Sequence, residues 1–246
     1  MPRISNKSSR VFLIARMKKP EIPYTPDDPR TIQLLFTRIA RNYDRTNHVI
    51  SLGFDILWRR KFARLFQDYK RIADVCSGSG AMIPLLSHRI LAELDFTHAM
   101  LRVAADRYPG ARFTEGDAQN IPFQSATFDA AIIVYSVRNI PDVSRALREL
   151  YRILQPGGLL GILDFGVPES KLLEKIYLLY FQKLMPFVGS WVAGDRSSYH
   201  YFVNSVLKFP KRKAFLELMK NAGFQNCSYR QYTGGAALVY LAEKAP

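Results

Sequence analysis

Cysteine is scarce: Cys76 and Cys227 are the only two in 246 residues. Two thiols cannot build a disulfide framework or a cysteine zinc site, and a reducing, intracellular setting is expected. Histidine is nearly as thin, with four residues. His98 and His200 stand isolated, no histidine–carboxylate spacing suggests a metal, and none is expected. No apolar run approaches the length of a transmembrane helix. The stretch Val11 to Ala15 is too short to span and lacks a convincing cleavage site, so it is not read as a signal peptide. Internal repeats and low-complexity segments are also missing.

Acids are under-represented, 21 against 35 lysines and arginines, for a net charge of +14. Part of the excess is local. Arg3, Lys7, Arg10, Arg16, Lys18 and Lys19 all precede the first acid, Glu21. Such a balance favours nucleic acid, an anionic membrane face or acidic substrates, and a general basic bias explains it equally well. Residues 1–30 carry Pro20, Pro23, Pro26 and Pro29 among charges and read as an irregular basic arm. Its Arg-rich, acid-free start leaves organellar import open, although a disordered tail or a true start at Met17 is the preferred reading.

What is present is a core. The chain is 48% hydrophobic and 13% aromatic, enough for one domain of ordinary size over residues 31–246. Ile32 to Ala40 has helical spacing, Asn42 to Asn47 is a polar break, and Phe54 to Phe66 is a second helix; both helices, within residues 31–69, should cap the sheet. Strands are expected at 71–75, 90–94, 111–114, 128–135 and 159–165. Helices should start near Thr97, as an N-cap, and span 143–154 before Pro156-Gly157-Gly158. Lys171 to Val192 is helical in pattern and unusually aromatic; with the next helix it forms an insertion over residues 170–210. A short helix at 211–221 and an antiparallel pair at 226–232 and 236–242 close the chain. Alternation of strands and helices predicts an α/β, doubly wound, mostly parallel seven-stranded sheet with an antiparallel C-terminal strand.

The organising stretch is Ile72 to Gly80, IADVCSGSG. A buried strand runs into Ser77-Gly78-Ser79-Gly80, and Ala81 onward can begin a helix with Pro84 in its first turn. Glycines there let a ligand approach the backbone. The second strand ends in Asp95, placed to accept both hydroxyls of a ribose. The third glycine of the dinucleotide fingerprint is missing. A glycine pair with an acid, lacking a pyrophosphate site, fits adenosine without phosphates, and S-adenosylmethionine is such a ligand.

Further stretches narrow the reading. They are FTRIARNYDRTNHVISLGFDILWRR, GDAQNIPF, VRNIPD over Val137 to Asp142, LRELYRIL followed by QPGG, then AGD, SSYHYFVNSV and YTGGAAL. With these, residues 36–244 resemble the class I S-adenosylmethionine-dependent methyltransferases. More narrowly, they resemble the ubiquinone/menaquinone biosynthesis C-methyltransferases. The family usually carries Thr where Ser79 stands, and often an acid where Ala81 stands.

The resemblance implies a site. Gly78, Ser79 and Gly80 would meet the methionine end of the cofactor, Asp95 the ribose, and Asp117 with Ala118 the adenine; Tyr43 and Asp44 would close over it. Arg138 and Asn139, just beyond the fourth strand, would handle the acceptor: Arg138 stabilising its oxyanion and Asn139 positioning the ring. Arg138 as a structural ion pair is the plainer alternative. Tyr199 and Asp195 would line the acceptor pocket. The implied acceptor is a polyprenylated quinol. Tyr177 to Trp191 would cover it, and the basic surface would make transient contact with the inner face of a membrane. The expected location is cytoplasmic or peripheral. A homo-oligomer is compatible with the sequence.

Other readings stay open. A nucleic-acid methyltransferase would explain the charge, but Pro-Pro-aromatic and Pro-Cys motifs are missing, and no nucleic-acid partner is expected. Methylation of another lipophilic phenol and a non-catalytic cofactor-binding role are the remaining alternatives.

Overall fold

The protein is described from a computed structural model, covering residues 28–86, 90–180 and 196–246. Residues 1–27 of the basic arm, Asp195 and the aromatic stretch from Phe181 to Trp191 fall outside these residues, as does the side chain of Tyr199.

Among the described residues, three helices precede the sheet: α1 (Pro29–Ile39), α2 (Tyr43–Ile50) and α3 (Phe54–Ala63). Asp28 caps α1, accepting from the Arg30 amide at 3.0 Å and the Thr31 hydroxyl at 2.8 Å. With Pro29 pre-set for the first turn, the helix begins two residues before the expected boundary at Thr31. The polar break is itself mostly helical. A 3-10 turn over Ala40–Asn42 leads directly into α2, because Asn47 and Ile50 bury against the domain and outweigh the polar composition.

The sheet holds β1 (Arg71–Val75), β2 (Ile90–Asp95), β3 (Phe113–Glu115), β4 (Phe128–Val134), β5 (Leu154–Phe165), β6 (Gln225–Tyr232) and β7 (Ala237–Glu243). Their order is β3-β2-β1-β4-β5-β7-β6. The first five run parallel, and β7 runs antiparallel to both β5 and β6, so it alone is reversed. That is the expected fold class.

Around the sheet lie α4 (His98–Arg107), α5 (Val143–Ile153), α6 (Lys171–Leu179), α7 (Arg196–Lys208) and α8 (Lys213–Asn221). The expected helix after Gly80 is reduced to a turn and a 3-10 segment, Ile83–Leu85. Only a few residues separate the glycine turn from β2, too few for a full helical crossover.

The two faces of the sheet bury alternate residues, as a pleated strand requires. Ala73, Val75, Ala131 and Ile133 pack with α5 and α8. Ile72, Ala130 and Ile132 pack with Trp58, Phe62 and Phe66. Gly161 on β5 admits those aromatic rings: a Cβ there would lie 2.3 Å from Phe66 Cζ. On α5, Ala146, Leu147, Leu150 and Ile153 form the buried stripe, and Asp142 caps its start by accepting from the Arg145 amide at 2.9 Å. A third cluster joins α1 to α4 through Leu35, Phe36, Ile39 and Met100, with Tyr201 of α7. The cap helices are thereby held over the carboxyl ends of β1 and β2.

Candidate active site

Where the parallel strands end, the chain leaves the sheet by sharp turns. Cys76 and Tyr135, the residues directly after β1 and β4, both take positive φ, 59° and 61°. Left-handed conformations in non-glycine residues cost of order 1–3 kcal/mol and persist where surrounding contacts enforce them. Gly78 and Gly80 follow with φ of 59° and 75°. Gly80 leaves no room for a side chain, since a Cβ would sit 2.7 Å from Ile83 Cδ1.

These turns open a cleft with about 870 Å³ of empty space counted out to its mouth. Of the expected residues, Tyr43, Gly78, Ser79, Asp95, Asp117, Ala118 and Asn139 line it. Gly80 shapes the turn without lining the cleft, and Arg138 stands behind the wall.

The half of the cleft over β1, β2 and β3 is built around Asp95. Its oxygens accept from the Gly78 amide at 2.9 Å and the Thr97 amide at 2.8 Å. Burial pushes its carboxyl up to about 6, and those two amides counter the shift. Asp117 accepts from the Gln119 amide at 2.8 Å, and Gln119 Oε1 accepts from the Asp142 amide at 3.0 Å, so the β3 loop is tied to the β4 loop. Ser79 donates to both oxygens of Asp44 at 2.8 Å, and Arg107 pairs with the same carboxylate. A carboxylate from the cap thus stands beside the glycine turn, in the cleft that Ala81 also lines.

Beneath this half lie two carboxyls that sequence reasoning did not pick out. Asp74 and Glu93 face each other across β1 and β2, both almost wholly buried. Burial raises both, and the neighbouring Glu93 raises Asp74 further. Asp74 reaches the cleft wall.

The other half lies over β4 and β5. Asn139 closes a 3-10 turn, Val137–Asn139. Its Oδ1 accepts from the Tyr201 hydroxyl at 2.7 Å, while its buried Nδ2 has no partner. The Arg138 side chain turns the other way. It pairs with buried Asp164, donates to the Tyr135 carbonyl at 2.8 Å and to Ser205 Oγ at 3.3 Å, and lies 5.4 Å and 5.0 Å from the Phe165 and Phe202 ring centres.

The sequence of residues 25–244 matches the ubiE/COQ5 methyltransferase family. The chain belongs to that family. It is 36% identical to a demethylmenaquinone methyltransferase of Chlamydia caviae, over 87% of this chain and 96% of that one. A demethylmenaquinone methyltransferase of Deinococcus radiodurans is 35% identical, over 92% and 98% of the two chains. A ubiquinone/menaquinone biosynthesis C-methyltransferase of Bartonella tribocorum is 34% identical, over 87% and 88%. A SAM-dependent methyltransferase from Thermotoga maritima superposes with a TM-score of 0.65 over 87% of this chain and 99% of that one; at 22% identity it speaks to the fold.

The protein is therefore an S-adenosylmethionine-dependent methyltransferase. The residues present suit that cofactor. The cleft offers a buried carboxylate at the end of β2, a serine hydroxyl and backbone of the glycine turn, and apolar walls from Ile32, Phe36, Met82 and Met100.

Proposed function

We propose that this enzyme methylates a ring carbon of a polyprenylated quinol in menaquinone or ubiquinone biosynthesis. One observation carries the division of labour. A single cleft runs from Asp95 at the end of β2 to Asn139 beyond β4, so two ligands can meet end to end inside it. When bound, S-adenosylmethionine supplies an electrophilic methyl group on sulfur.

The chain does the rest by holding and enclosing. Asp95 accepts the ribose hydroxyls, Asp117 accepts the adenine amino group, and the Ala118 amide faces the ring. Gly78 and Ser79 contact the methionine end, Gly80 sets the turn, and Tyr43 closes the mouth against water. At the acceptor end a quinol carbon becomes nucleophilic when a neighbouring ring hydroxyl loses its proton to solvent. Asn139 Nδ2, without a partner among the described residues, is placed to donate to that oxygen. Arg138 acts at one remove: its bonds to Asp164 and the Tyr135 carbonyl fix the turn that carries Asn139.

The long apolar tail needs an apolar approach. Leu172, Leu173, Ile176 and Leu179 of α6 are exposed, and so are Leu52, Phe54, Ile56 and Leu57 around the α2–α3 turn. The two patches adjoin: Tyr180 donates to the Val49 and Ile50 carbonyls, and Trp58 donates to Thr233 beside Gly234, against which Leu173 packs. Lys171, Lys175, Arg60 and Lys61 flank them. Such a face suits shallow contact with an anionic membrane. No helix among the described residues is long and apolar enough to cross one.

Methyl-labelled S-adenosylmethionine offered with demethylmenaquinol, the ubiquinol precursor and RNA tests the reading. Label in a quinol is expected. Label in RNA, or none in either quinol, would contradict it.

A further inference from the structure

Among the described residues, Arg59 is the one cation on the cleft wall, and its donors are left unsatisfied. It lies on α3, in the Trp58-Arg59-Arg60 stretch, with its side chain 10% exposed. Its ion-pair partner, Asp55, is 3.7 Å away, beyond hydrogen-bond range. Its Nε is buried with no acceptor, and none of its other nitrogens makes a hydrogen bond among the described residues. A guanidinium carries five donors, and a buried one is stable only when they are met. The contrast with Arg138 is internal to this chain: that guanidinium holds Asp164, Tyr135 and Ser205.

The surroundings fix Arg59 rather than satisfy it. Its guanidinium lies 5.0 Å from the centre of the Tyr135 ring. Asp55, which steers it, is itself held by the Ser51 hydroxyl at 2.9 Å and by His48 Nδ1 at 2.9 Å. Asp74, an acid near it on the cleft wall, has its carboxyl raised well above the usual carboxylate range by burial and by Glu93. A pre-oriented, desolvated fork with no protein acceptor matches an oxyanion.

We propose that Arg59 binds an oxyanion inside the cleft and contributes ligand affinity rather than stability. This rests on the reading of the cleft as a cofactor-and-acceptor site. Two oxyanions of that chemistry come to this cleft: the amino-acid carboxylate of the cofactor and the ionised ring hydroxyl of the acceptor. Each has a counterpart without the anionic group.

The test is calorimetric titration of wild type, Arg59→Gln and Arg59→Lys, with thermal melting to establish that each variant is folded. The ligands are S-adenosylhomocysteine against methylthioadenosine, which lacks the carboxylate. They also include 2-hydroxy-1,4-naphthoquinone, an anion at neutral pH, against its neutral 2-methyl counterpart. The expected result in Arg59→Gln is a loss of tenfold or more for one charged ligand, with its neutral counterpart changed less than twofold. Loss confined to S-adenosylhomocysteine assigns the carboxylate; loss confined to the hydroxyquinone assigns the acceptor. If Arg59→Gln does not fold, Arg59→Lys decides, with threefold or more expected on the charged member alone. Equal losses on charged and neutral ligands, or no loss at all, would overturn the proposal. Absence of nucleoside binding by the wild type would overturn the cofactor-site reading as well, which separates the two failures.

Discussion

The two halves of the cleft are built by opposite means. Over β1, β2 and β3, backbone amides do the positioning: Gly78 and Thr97 hold Asp95, and the Gln119 amide holds Asp117. Over β4 and β5, side chains drawn from distant elements do it: Tyr201 of α7 sets Asn139, and Asp164 of β5 sets Arg138. A site made from backbone is compact in sequence and tolerant of small substitutions. One assembled from long-range side-chain pairs depends on several elements arriving together.

The largest expected break is on the second side. Arg138→Ala would leave Asp164 as an unpaired buried carboxylate and remove the anchor of the Asn139 turn. Loss of one partner from a buried pair costs about 3–5 kcal/mol. The melting temperature should fall by roughly 10 °C, given ~2–4 °C per kcal/mol for a domain of this size. A variant as stable as wild type would show that the pair does not hold the fold.

Asp95→Ala tests the first side. It removes a charged acceptor that serves two protein amides and the ribose hydroxyls. Hydrogen bonds to charged groups contribute about 1.5–3 kcal/mol, so S-adenosylhomocysteine should bind about 100-fold more weakly by titration. Unchanged affinity would remove Asp95 from the cofactor site.

Glu93→Gln addresses the buried carboxyl pair below it. Burial raises the Glu93 carboxyl in the folded protein, so the folded state keeps a proton that the unfolded chain gives up. Stability should therefore fall as pH rises from the ordinary carboxylate range near 4.5 toward neutrality. Glutamine cannot ionise. The variant should match wild type near pH 4 and exceed it by on the order of 2 kcal/mol at pH 8, read from denaturant melts. Parallel pH profiles would contradict the assignment.

The smallest effect is expected from Asn139→Ala. One hydrogen bond to the ionised ring oxygen of the acceptor contributes about 1.5 kcal/mol, or on the order of tenfold in kcat, with cofactor affinity unchanged. A loss of cofactor binding would merge the two halves that the geometry separates.

This asymmetry also explains what the sequence revealed. The strand positions, the glycine turn and the acid at Asp95 follow from local patterns: buried runs, a pair of glycines and an acid at a strand end. Alternation of strands and helices carried the fold class. Arg59 escaped notice because WRR on an amphipathic helix reads as a solvated face; its burial depends on α3 docking against Tyr135, a contact between residues far apart in the chain. The same is true of Arg138, whose position after β4 suggests a group facing the ligand. Its partners Asp164, Phe202 and Ser205 come from β5 and α7, and no local pattern announces them. Asp74 and Glu93 were hidden inside runs that read simply as buried strands. α2 differed from its expected polar break because tertiary burial of a few residues outweighs composition.

The central claim is methyl transfer to a ring carbon at the meeting point of the two halves. Its most direct test is carbon-13 NMR of the product formed from methyl-¹³C S-adenosylmethionine and demethylmenaquinol. The account predicts the label as a methyl group bonded to a ring carbon. Label on a ring oxygen, or an unlabelled quinol beside unspent cofactor, would contradict it.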